Sequence, residues 1–198
     1  IWGGSAPSMP YTTNKDGRGH AWANSLFEAN AEYGLGMASA VRQMRTGLQD
    51  TLENLKALDP SGADVVDGWV ATMKDGEKSR AASDALVAAL EAYKGTDAEA
   101  KNIVSYVLEN KDQLVKKSQW IFGGDGWAYD IGYGGLDHVL ASGEDINVLV
   151  FDTEVYSNTG GQASKATPAG AVAQFAASGK RIKKKDLGMM AMSYGYVY

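Results

Sequence analysis

The 198-residue sequence contains no cysteine and only two histidines. The absence of cysteine excludes a disulfide-stabilised scaffold and agrees with a cytoplasmic setting. The histidines, His20 and His138, are far apart in the sequence and have no partner at ligand spacing. A zinc site is therefore not expected.

Long apolar runs and an excess of positive charge are also missing. No uninterrupted apolar stretch reaches the roughly 18 residues expected of a membrane-spanning helix. The net charge is −5, which argues against a nucleic-acid-binding protein. Because 44% of the residues are hydrophobic and 22% are charged, the chain can form one sizeable domain with its own core.

The first half of the chain has helical periodicity. Apolar residues recur every three or four positions between 41 and 58, which predicts a long helix with one buried face. The Asp-Pro-Ser-Gly sequence at 59–62 ends it. Residues 63–117 predict two or three shorter amphipathic helices, with breaks at Gly76 and Gly95.

Two apolar stretches separated by a helix-length segment dominate the second half. Residues 118–122 and 146–151 are short apolar runs typical of buried strands. The segment between them, 129–142, has the length of a helix, although its glycines weaken the pattern. Consecutive strands joined in this way usually pair in parallel, so their carboxyl ends meet at one edge of the sheet. We therefore expect an α/β fold with a cavity at that edge.

A glycine-flanked acid follows the first of these strands. Gly124 and Gly126 let the backbone approach a ligand closely and expose amide donors, which favours phosphate oxygens. Asp125 would repel a phosphate unless Mg²⁺ bridges the two, because that ion takes carboxylate, neutral and phosphate oxygens. Neutral oxygens are available after the second strand from Thr153, Asn158 and the carbonyl of Val155. The pattern predicts a divalent-metal diphosphate clamp.

Two long runs carry a resemblance to a known family. Residues 120–132 (Trp-Ile-Phe-Gly-Gly-Asp-Gly-Trp-Ala-Tyr-Asp-Ile-Gly) and 152–162 (Asp-Thr-Glu-Val-Tyr-Ser-Asn-Thr-Gly-Gly-Gln) resemble the thiamine-diphosphate domain of pyruvate:ferredoxin (flavodoxin) oxidoreductases. Shorter runs are similar to the same domain at 1–7, 11–14, 22–28, 164–168 and 185–187. Only 47–117 is weakly marked, and it is interpreted as a helical insertion within a single domain, 1–198.

The resemblance implies roles for particular residues. Asp125 and Thr153 would bind Mg²⁺ through their side chains, and Val155 through its carbonyl. Two segments would line the cofactor: Gly124, Asp125, Gly126 and Trp127, then Thr153, Glu154, Val155, Tyr156, Ser157 and Asn158. Asn158 would also lie near the bound 2-oxoacid, as a catalytic residue.

The implied fold is the thiamine-diphosphate-binding α/β fold, a mostly parallel sheet flanked by helices. The implied activity is coenzyme A-dependent oxidative decarboxylation of pyruvate to acetyl-CoA and CO₂, in which the cofactor performs the chemistry and the protein positions it. Electrons would pass singly to [4Fe-4S] clusters and then to ferredoxin or flavodoxin. Other domains of the same enzyme and a second copy in a homodimer are further expected partners, with no nucleic acid and no membrane.

Several features depart from the family pattern. The family holds its nearest cluster with cysteines, and this chain has none, so no such cluster can be ligated here. The glutamate that activates the cofactor lies in a different domain, which no segment here resembles, so the chain alone is expected to be inactive. His20 stands where the family pattern has proline. Since the sequence starts at Ile1 and ends within an apparent strand, 192–198, we expect a fragment of a larger chain.

Alternative functions stay open. The family includes oxidoreductases for other 2-oxoacids, and an isolated domain could serve only in structure or subunit contact. A nucleotide-binding Rossmann module would require glycine or alanine where Tyr129 stands.

Two charged groups near the predicted clamp are interpreted as structural. Asp152 and Glu154 are expected to be hydrogen-bonding acids rather than metal ligands. The basic run at 180–185 is interpreted as a solvated loop or helix start, with docking of an acidic electron carrier or a neighbouring subunit as the alternative.

Overall fold

The computed structural model describes residues 4–6, 22–24, 29–157 and 159–198. The strands in these ranges are β1 (Gly4–Ala6), β2 (Trp22–Asn24), β3 (Trp120–Gly124), β4 (Asn147–Phe151), β5 (Val155–Tyr156) and β6 (Gln162–Ala163). The helices are α1 (Asn30–Leu58), α2 (Ala63–Thr72), α3 (Ser79–Glu91), α4 (Ala98–Glu109), α5 (Tyr133–Ala141) and α6 (Leu187–Met192).

The chain divides into two compact units. One consists of Ile1–Gly36 and Gln119–Tyr198, and the other of Met37–Ser118. We call them the sheet unit and the helical unit. The predicted insertion, 47–117, lies within the helical unit, and its place in a single domain of residues 1–198 stays a prediction.

The helical unit is built from most of α1 and from α2, α3 and α4. Asp59 accepts a hydrogen bond from the Ser61 backbone at 3.0 Å where α1 ends, so the predicted helix end at 59–62 is confirmed. Gly76 and Gly95 lie in the connections between the shorter helices, which confirms both predicted breaks. The core of this unit consists of Leu48, Leu52, Leu55, Val66, Trp69, Met73, Leu86, Leu90, Ala100, Val104, Val107 and Leu114.

A buried arginine, Arg45, connects α1 to two later segments of this unit. The guanidinium of Arg45 donates to three main-chain carbonyls, those of Met73 (2.6 Å), Leu114 (2.9 Å) and Gln113 (3.1 Å). The Trp69 indole also donates to the Leu114 carbonyl, at 3.1 Å. Burial lowers the pKa of Arg45 below its ordinary value, because desolvation penalises the charged form. The periodicity of the sequence does not reveal this contact.

The sheet unit contains the predicted parallel pair. β3 and β4 pair in parallel from Trp120 opposite Asn147 to Gly124 opposite Phe151, and α5 connects them, which confirms the α/β prediction. β3 runs to Gly124, beyond the predicted end at 122, because its pairing with β4 continues that far. The predicted helix, 129–142, begins later as α5, since a π-turn occupies Gly126–Asp130.

The two strands are buried on one face only. Ile121 faces a core that also contains Ala31, Trp127, Ala128, Tyr129, Leu136, Val139 and Ala166. Trp120, Phe122 and Phe151 stack along the other face, and Phe151 is 53% exposed. The expectation of two fully buried strands is therefore wrong, because alternate side chains of a strand point to opposite faces.

The predicted strand at 192–198 is also wrong. Asp186 caps α6 by accepting a hydrogen bond from the Met189 backbone at 2.9 Å, and this helix includes Met192. The residues that follow form turns, with Gly195 at a φ of 75°. The aromatic residues beyond the helix instead contact α5, since the Tyr194 hydroxyl donates to Asp137 Oδ1 at 2.6 Å and the Tyr196 hydroxyl to the Ala141 carbonyl at 2.9 Å. In the described parts of the chain, no helix is both long and apolar enough to cross a membrane.

Candidate functional site

The carboxyl ends of β3 and β4 lie side by side, because Gly124 pairs with Phe151. Asp125 directly follows β3, and Thr153 lies just beyond β4. The Thr153 backbone donates a hydrogen bond to Asp125 Oδ1 at 2.9 Å. Two residues predicted as metal ligands from separate segments therefore meet at one edge of the sheet.

The Thr153 hydroxyl lies close to both of the other predicted ligand oxygens. Thr153 Oγ1 lies 3.5 Å from Asp125 Oδ1 and 3.1 Å from the Val155 carbonyl oxygen. Adjacent ligands of an octahedral Mg²⁺ with bonds of about 2.1 Å are about 3.0 Å apart. Among the described residues, no group of three or more His, Cys, Asp or Glu could hold a metal. The candidate site thus depends on one carboxylate and neutral oxygens, a donor set that fits Mg²⁺.

Asp125 is a buried carboxylate held by uncharged donors. Its side chain is 2% exposed, and Ser164 Oγ donates to Oδ2 at 3.0 Å. Burial raises the pKa of Asp125, the hydrogen bonds from Ser164 and Thr153 oppose that rise, and the nearby Asp152 adds to it. Within 29–157 and 159–198, no lysine or arginine forms an ion pair with this carboxylate. A buried anion without a cation is unfavourable, so the arrangement would be stabilised by a bound cation.

The loop after β4 has an unusual backbone. Glu154 has a φ of 65°, which residues with a side chain rarely adopt. The Thr167 hydroxyl donates a short hydrogen bond to the Glu154 carbonyl and supports this conformation. The strained residue lies directly before Val155, whose carbonyl faces the Thr153 hydroxyl. Strain of this kind is concentrated at ligand-binding loops.

A second loop, 164–167, contacts the Asp125 carboxylate through Ser164. The Ala166 backbone donates to Ser164 Oγ at 3.0 Å, and that hydroxyl donates in turn to Asp125. Lys180 Nζ donates to the carbonyls of Ser164 (2.9 Å), Lys165 (3.3 Å) and Thr167 (2.5 Å). The lysine thus fixes the loop that orients the Asp125 carboxylate.

Two acids flank Thr153, and a lysine lies between them. Asp152 Oδ2 accepts a hydrogen bond from the Tyr129 hydroxyl at 2.8 Å and pairs with Lys184 Nζ at 2.5 Å. Burial raises the pKa of Asp152, but the bonds from Lys184 and Tyr129 outweigh it and hold the pKa below its ordinary value. The prediction that Asp152 is a hydrogen-bonding acid is confirmed.

The basic run at 180–185 is not simply a solvated loop. Lys180 and Lys184 make the contacts described above, and Lys185 Nζ donates to the Tyr129 carbonyl at 3.1 Å. Arg181 and Lys183 alone among its basic residues are exposed. The solvated interpretation is therefore wrong for three of the five, because the run lies against the acids and carbonyls of the site.

The remaining predicted cofactor residues occupy different surroundings. A side chain at Gly126 would overlap the Tyr156 ring, so this position needs glycine for close packing. Trp127 is fully buried and lies over Gly123, so its side chain is in the core, and only its backbone is left to contact a diphosphate. Ser157 is exposed beyond β5. Asn158 lies outside the described residues.

Sequence reasoning overlooked several residues that shape the site, namely Ser164, Thr167, Lys180 and Lys184. Ser164 is 39 positions from Asp125, and no periodicity or spacing links the two. The sequence does suggest a residue such as Lys184, because two acids beside a segment predicted to bind diphosphate need a nearby positive charge.

Comparison with known proteins identifies a domain family and relatives that this chain resembles. The thiamine pyrophosphate (thiamine diphosphate) enzyme C-terminal binding domain matches residues 107–198. The chain is 58% identical over 200 residues to pyruvate-flavodoxin oxidoreductase of Klebsiella pneumoniae and 57% identical over 201 residues to pyruvate:ferredoxin oxidoreductase of Moorella thermoacetica. It is 50% identical over 203 residues to the mitochondrial pyruvate dehydrogenase (NADP⁺) of Euglena gracilis.

Each of these matches covers 100% of the chain. The chain spans 17% of the length of the first two relatives and 11% of the third. It is therefore homologous along its whole length to one segment of the pyruvate:flavodoxin and pyruvate:ferredoxin oxidoreductases, and residues 107–198 belong to the C-terminal binding domain of thiamine pyrophosphate enzymes.

Proposed function

We propose that this chain binds the magnesium-diphosphate end of thiamine diphosphate in an enzyme that oxidatively decarboxylates pyruvate to acetyl-CoA and CO₂. The observation that supports it best is the buried Asp125 carboxylate, which has no basic partner in the described residues and lies 3.5 Å from a second candidate ligand oxygen.

Each residue has a separate task in this proposal. Asp125, Thr153 and the Val155 carbonyl hold Mg²⁺, which offsets the charge of both the carboxylate and the diphosphate. Gly124 places no side chain near the diphosphate, and amide groups at the start of the π-turn donate to phosphate oxygens. Gly126 leaves room for the Tyr156 ring beside them. Additional contacts come from Trp127, Glu154, Tyr156, Ser157 and Asn158. When bound, thiamine diphosphate stabilises negative charge on the carbon that loses CO₂.

The names of the relatives suggest what this segment does within a whole enzyme. Their names share pyruvate, whereas the acceptors named are flavodoxin, ferredoxin and NADP⁺. A segment that stays about 50% identical across these acceptors is expected to serve the pyruvate side of the reaction. We accordingly propose Asn158 as a residue near the 2-oxoacid.

The remainder of the active site would come from other segments. We propose coenzyme A as the acetyl acceptor, [4Fe-4S] clusters elsewhere in the full enzyme, ferredoxin or flavodoxin as acceptor, a homodimer and a cytoplasmic setting. The base that activates the cofactor is assigned to another domain, and so the isolated chain is expected to bind without turnover.

Calorimetric titration of the 198-residue chain with thiamine diphosphate tests the proposal. We expect saturable binding in Mg²⁺ and at least a hundredfold weaker binding in EDTA, because the ion joins two anionic partners. Saturable binding of NAD without binding of thiamine diphosphate would instead indicate a nucleotide-binding module. Absence of both would indicate a purely structural domain, and either result overturns the proposal.

A further inference from the structure

The loop proposed to hold magnesium carries two negative charges in addition to Asp125. Asp152 and Glu154 lie on either side of Thr153, and their side chains are 31% and 54% exposed. A diphosphate bound at Thr153 would lie close to both carboxylates, and like charges repel. One Mg²⁺ shared with Asp125 does not offset all of this charge.

Lys184 is placed to offset it. Its Nζ lies 2.5 Å from Asp152 Oδ2 and 3.7 Å from Glu154 Oε1, so a single ammonium group lies between the two acids. It also lies 5.8 Å from the centre of the Tyr129 ring, and the Tyr129 hydroxyl donates to the same Asp152 oxygen at 2.8 Å. The aromatic ring and the two acids therefore define one position for the lysine head group.

Lys184 differs from its basic neighbours in the groups that it contacts. Lys180 and Lys185 bind main-chain carbonyls, which suits a role in shaping loops. The ion pairs of Lys184 are with side chains of the loop after β4. Removing its charge would therefore change the potential at Thr153 more than the course of the backbone.

We propose that Lys184 is a positioning residue for the cofactor diphosphate. It neutralises the acids beside Thr153, so that the diphosphate binds there against less like charge. This inference rests on the proposed binding of thiamine diphosphate and adds a residue to that site from outside the predicted clamp.

The chain offers a matched control in Lys183. This residue is adjacent, equally charged and exposed. Lys183→Met and Lys184→Met change the net charge of the protein by the same amount. A difference between them therefore reports the position of the charge and not its sum.

The test measures the Kd of thiamine diphosphate by calorimetry in saturating Mg²⁺. We expect Lys184→Met to weaken binding roughly 5- to 30-fold, the effect of one or two lost interactions of ordinary strength. Lys183→Met stays within about twofold, and Lys184→Arg, which keeps the charge, stays within about threefold. Raising the salt to about 0.5 M should shrink the Lys184→Met effect, because salt screens partly exposed charges.

A double variant separates charge from structure. Combining Lys184→Met with Asp152→Asn removes both members of the ion pair, and we expect it to restore the Kd to within about threefold of the unchanged chain. A Lys184 that only supports the fold would give a lower melting temperature in both variants and no recovery of affinity. That result, or equal Kd values for Lys183→Met and Lys184→Met, overturns the inference.

Failure of this inference differs from failure of the proposed function. An unchanged chain that binds thiamine diphosphate in Mg²⁺ keeps the proposed function, whatever the lysine variants do. An unchanged chain that does not bind overturns both.

Discussion

Among the residues that the structure describes, the helical unit and the sheet unit each bury one charged side chain, and they surround it differently. Arg45 in the helical unit is enclosed by three carbonyl oxygens at 2.6 to 3.1 Å. Asp125 in the sheet unit accepts hydrogen bonds from Thr153 and Ser164, and a second acid, Asp152, raises its pKa further. The arginine has the partners that a structural charge needs, whereas the carboxylate forms no ion pair with any described lysine or arginine. The difference fits a structural role for Arg45 and the binding role proposed above for Asp125.

Replacing Asp125 is expected to have the largest effect. Asp125→Ala removes the only carboxylate among the proposed ligands, so Mg²⁺-dependent binding of thiamine diphosphate should fall at least a hundredfold. The fold should persist, because an uncompensated buried charge is removed. Calorimetry and thermal melting measure the two effects, with the exposed Asp145→Ala as control. Full retention of affinity in Asp125→Ala would show that the metal assignment is wrong.

Replacing Arg45 should lower the stability of the protein and leave its cofactor affinity unchanged. Arg45→Met keeps most of the apolar side chain but removes the donor to three main-chain carbonyls, of which that of Leu114 still accepts from Trp69. The loss should lower the free energy of unfolding by about 3 kcal/mol. Urea denaturation measures this, and exposed Arg80→Met should change it by less than about 0.5 kcal/mol. Cofactor affinity of the folded protein should not change. A loss of unfolding free energy below about 1 kcal/mol would contradict the structural role of Arg45.

Ser164 is expected to affect metal binding through Asp125, because its hydroxyl donates to that carboxylate. Ser164→Ala removes the donor to Oδ2, and loss of such a partner typically weakens metal binding about 10- to 100-fold. Mg²⁺ titration at a fixed concentration of thiamine diphosphate measures the change. Ser193→Ala is the control, since that exposed hydroxyl donates to the Met190 carbonyl, away from the clamp. Equal Mg²⁺ affinities for the two variants would exclude this role of Ser164.

Stability against pH should show the smallest effect, and its sign depends on the residue. The folded chain raises the pKa of Asp125, so protonation favours folding, and its contribution to stability increases as the pH falls through that pKa. The folded chain lowers the pKa of Asp152, so that contribution is present at pH 7 and is lost as the pH falls.

Melting temperatures in EDTA between pH 7 and about pH 2.5 test these signs, because the contribution of Asp152 is lost only below the ordinary aspartate pKa of about 3.9. The melting temperature of the unchanged chain minus that of Asp125→Asn should rise by a few degrees as the pH falls. The same difference measured against Asp152→Asn should fall. Identical slopes for the two variants would contradict the assigned pKa directions.

The sequence alone predicts those parts of the site that lie within single runs. The apolar stretches before Asp125 and Thr153 indicate two neighbouring parallel strands, and chain connectivity then brings both residues to one edge. The ends of the shorter helices follow from Gly76 and Gly95, because glycine disfavours a helix interior. These features are local, so they can be inferred from neighbouring residues.

The features that the sequence does not reveal depend on contacts between distant segments. Ser164 and Lys184 reach the site through loops whose course is set by tertiary packing. Arg45 resembles a surface residue in the sequence and becomes buried only because three carbonyls converge on it. At 192–198, aromatic residues suggest a strand, yet the hydroxyls of Tyr194 and Tyr196 bind α5, more than 50 positions earlier in the chain.

The position of the bound metal decides whether Asp125, Thr153 and Val155 are its ligands. A crystal of the chain grown with Mn²⁺ and thiamine diphosphate would reveal the ion by its anomalous scattering. The account predicts one strong peak within about 2.3 Å of Asp125 Oδ1, Thr153 Oγ1 and the Val155 carbonyl oxygen, with diphosphate oxygens completing the octahedron. A diphosphate bound with no peak there, or with its peak remote from Asp125, would contradict it.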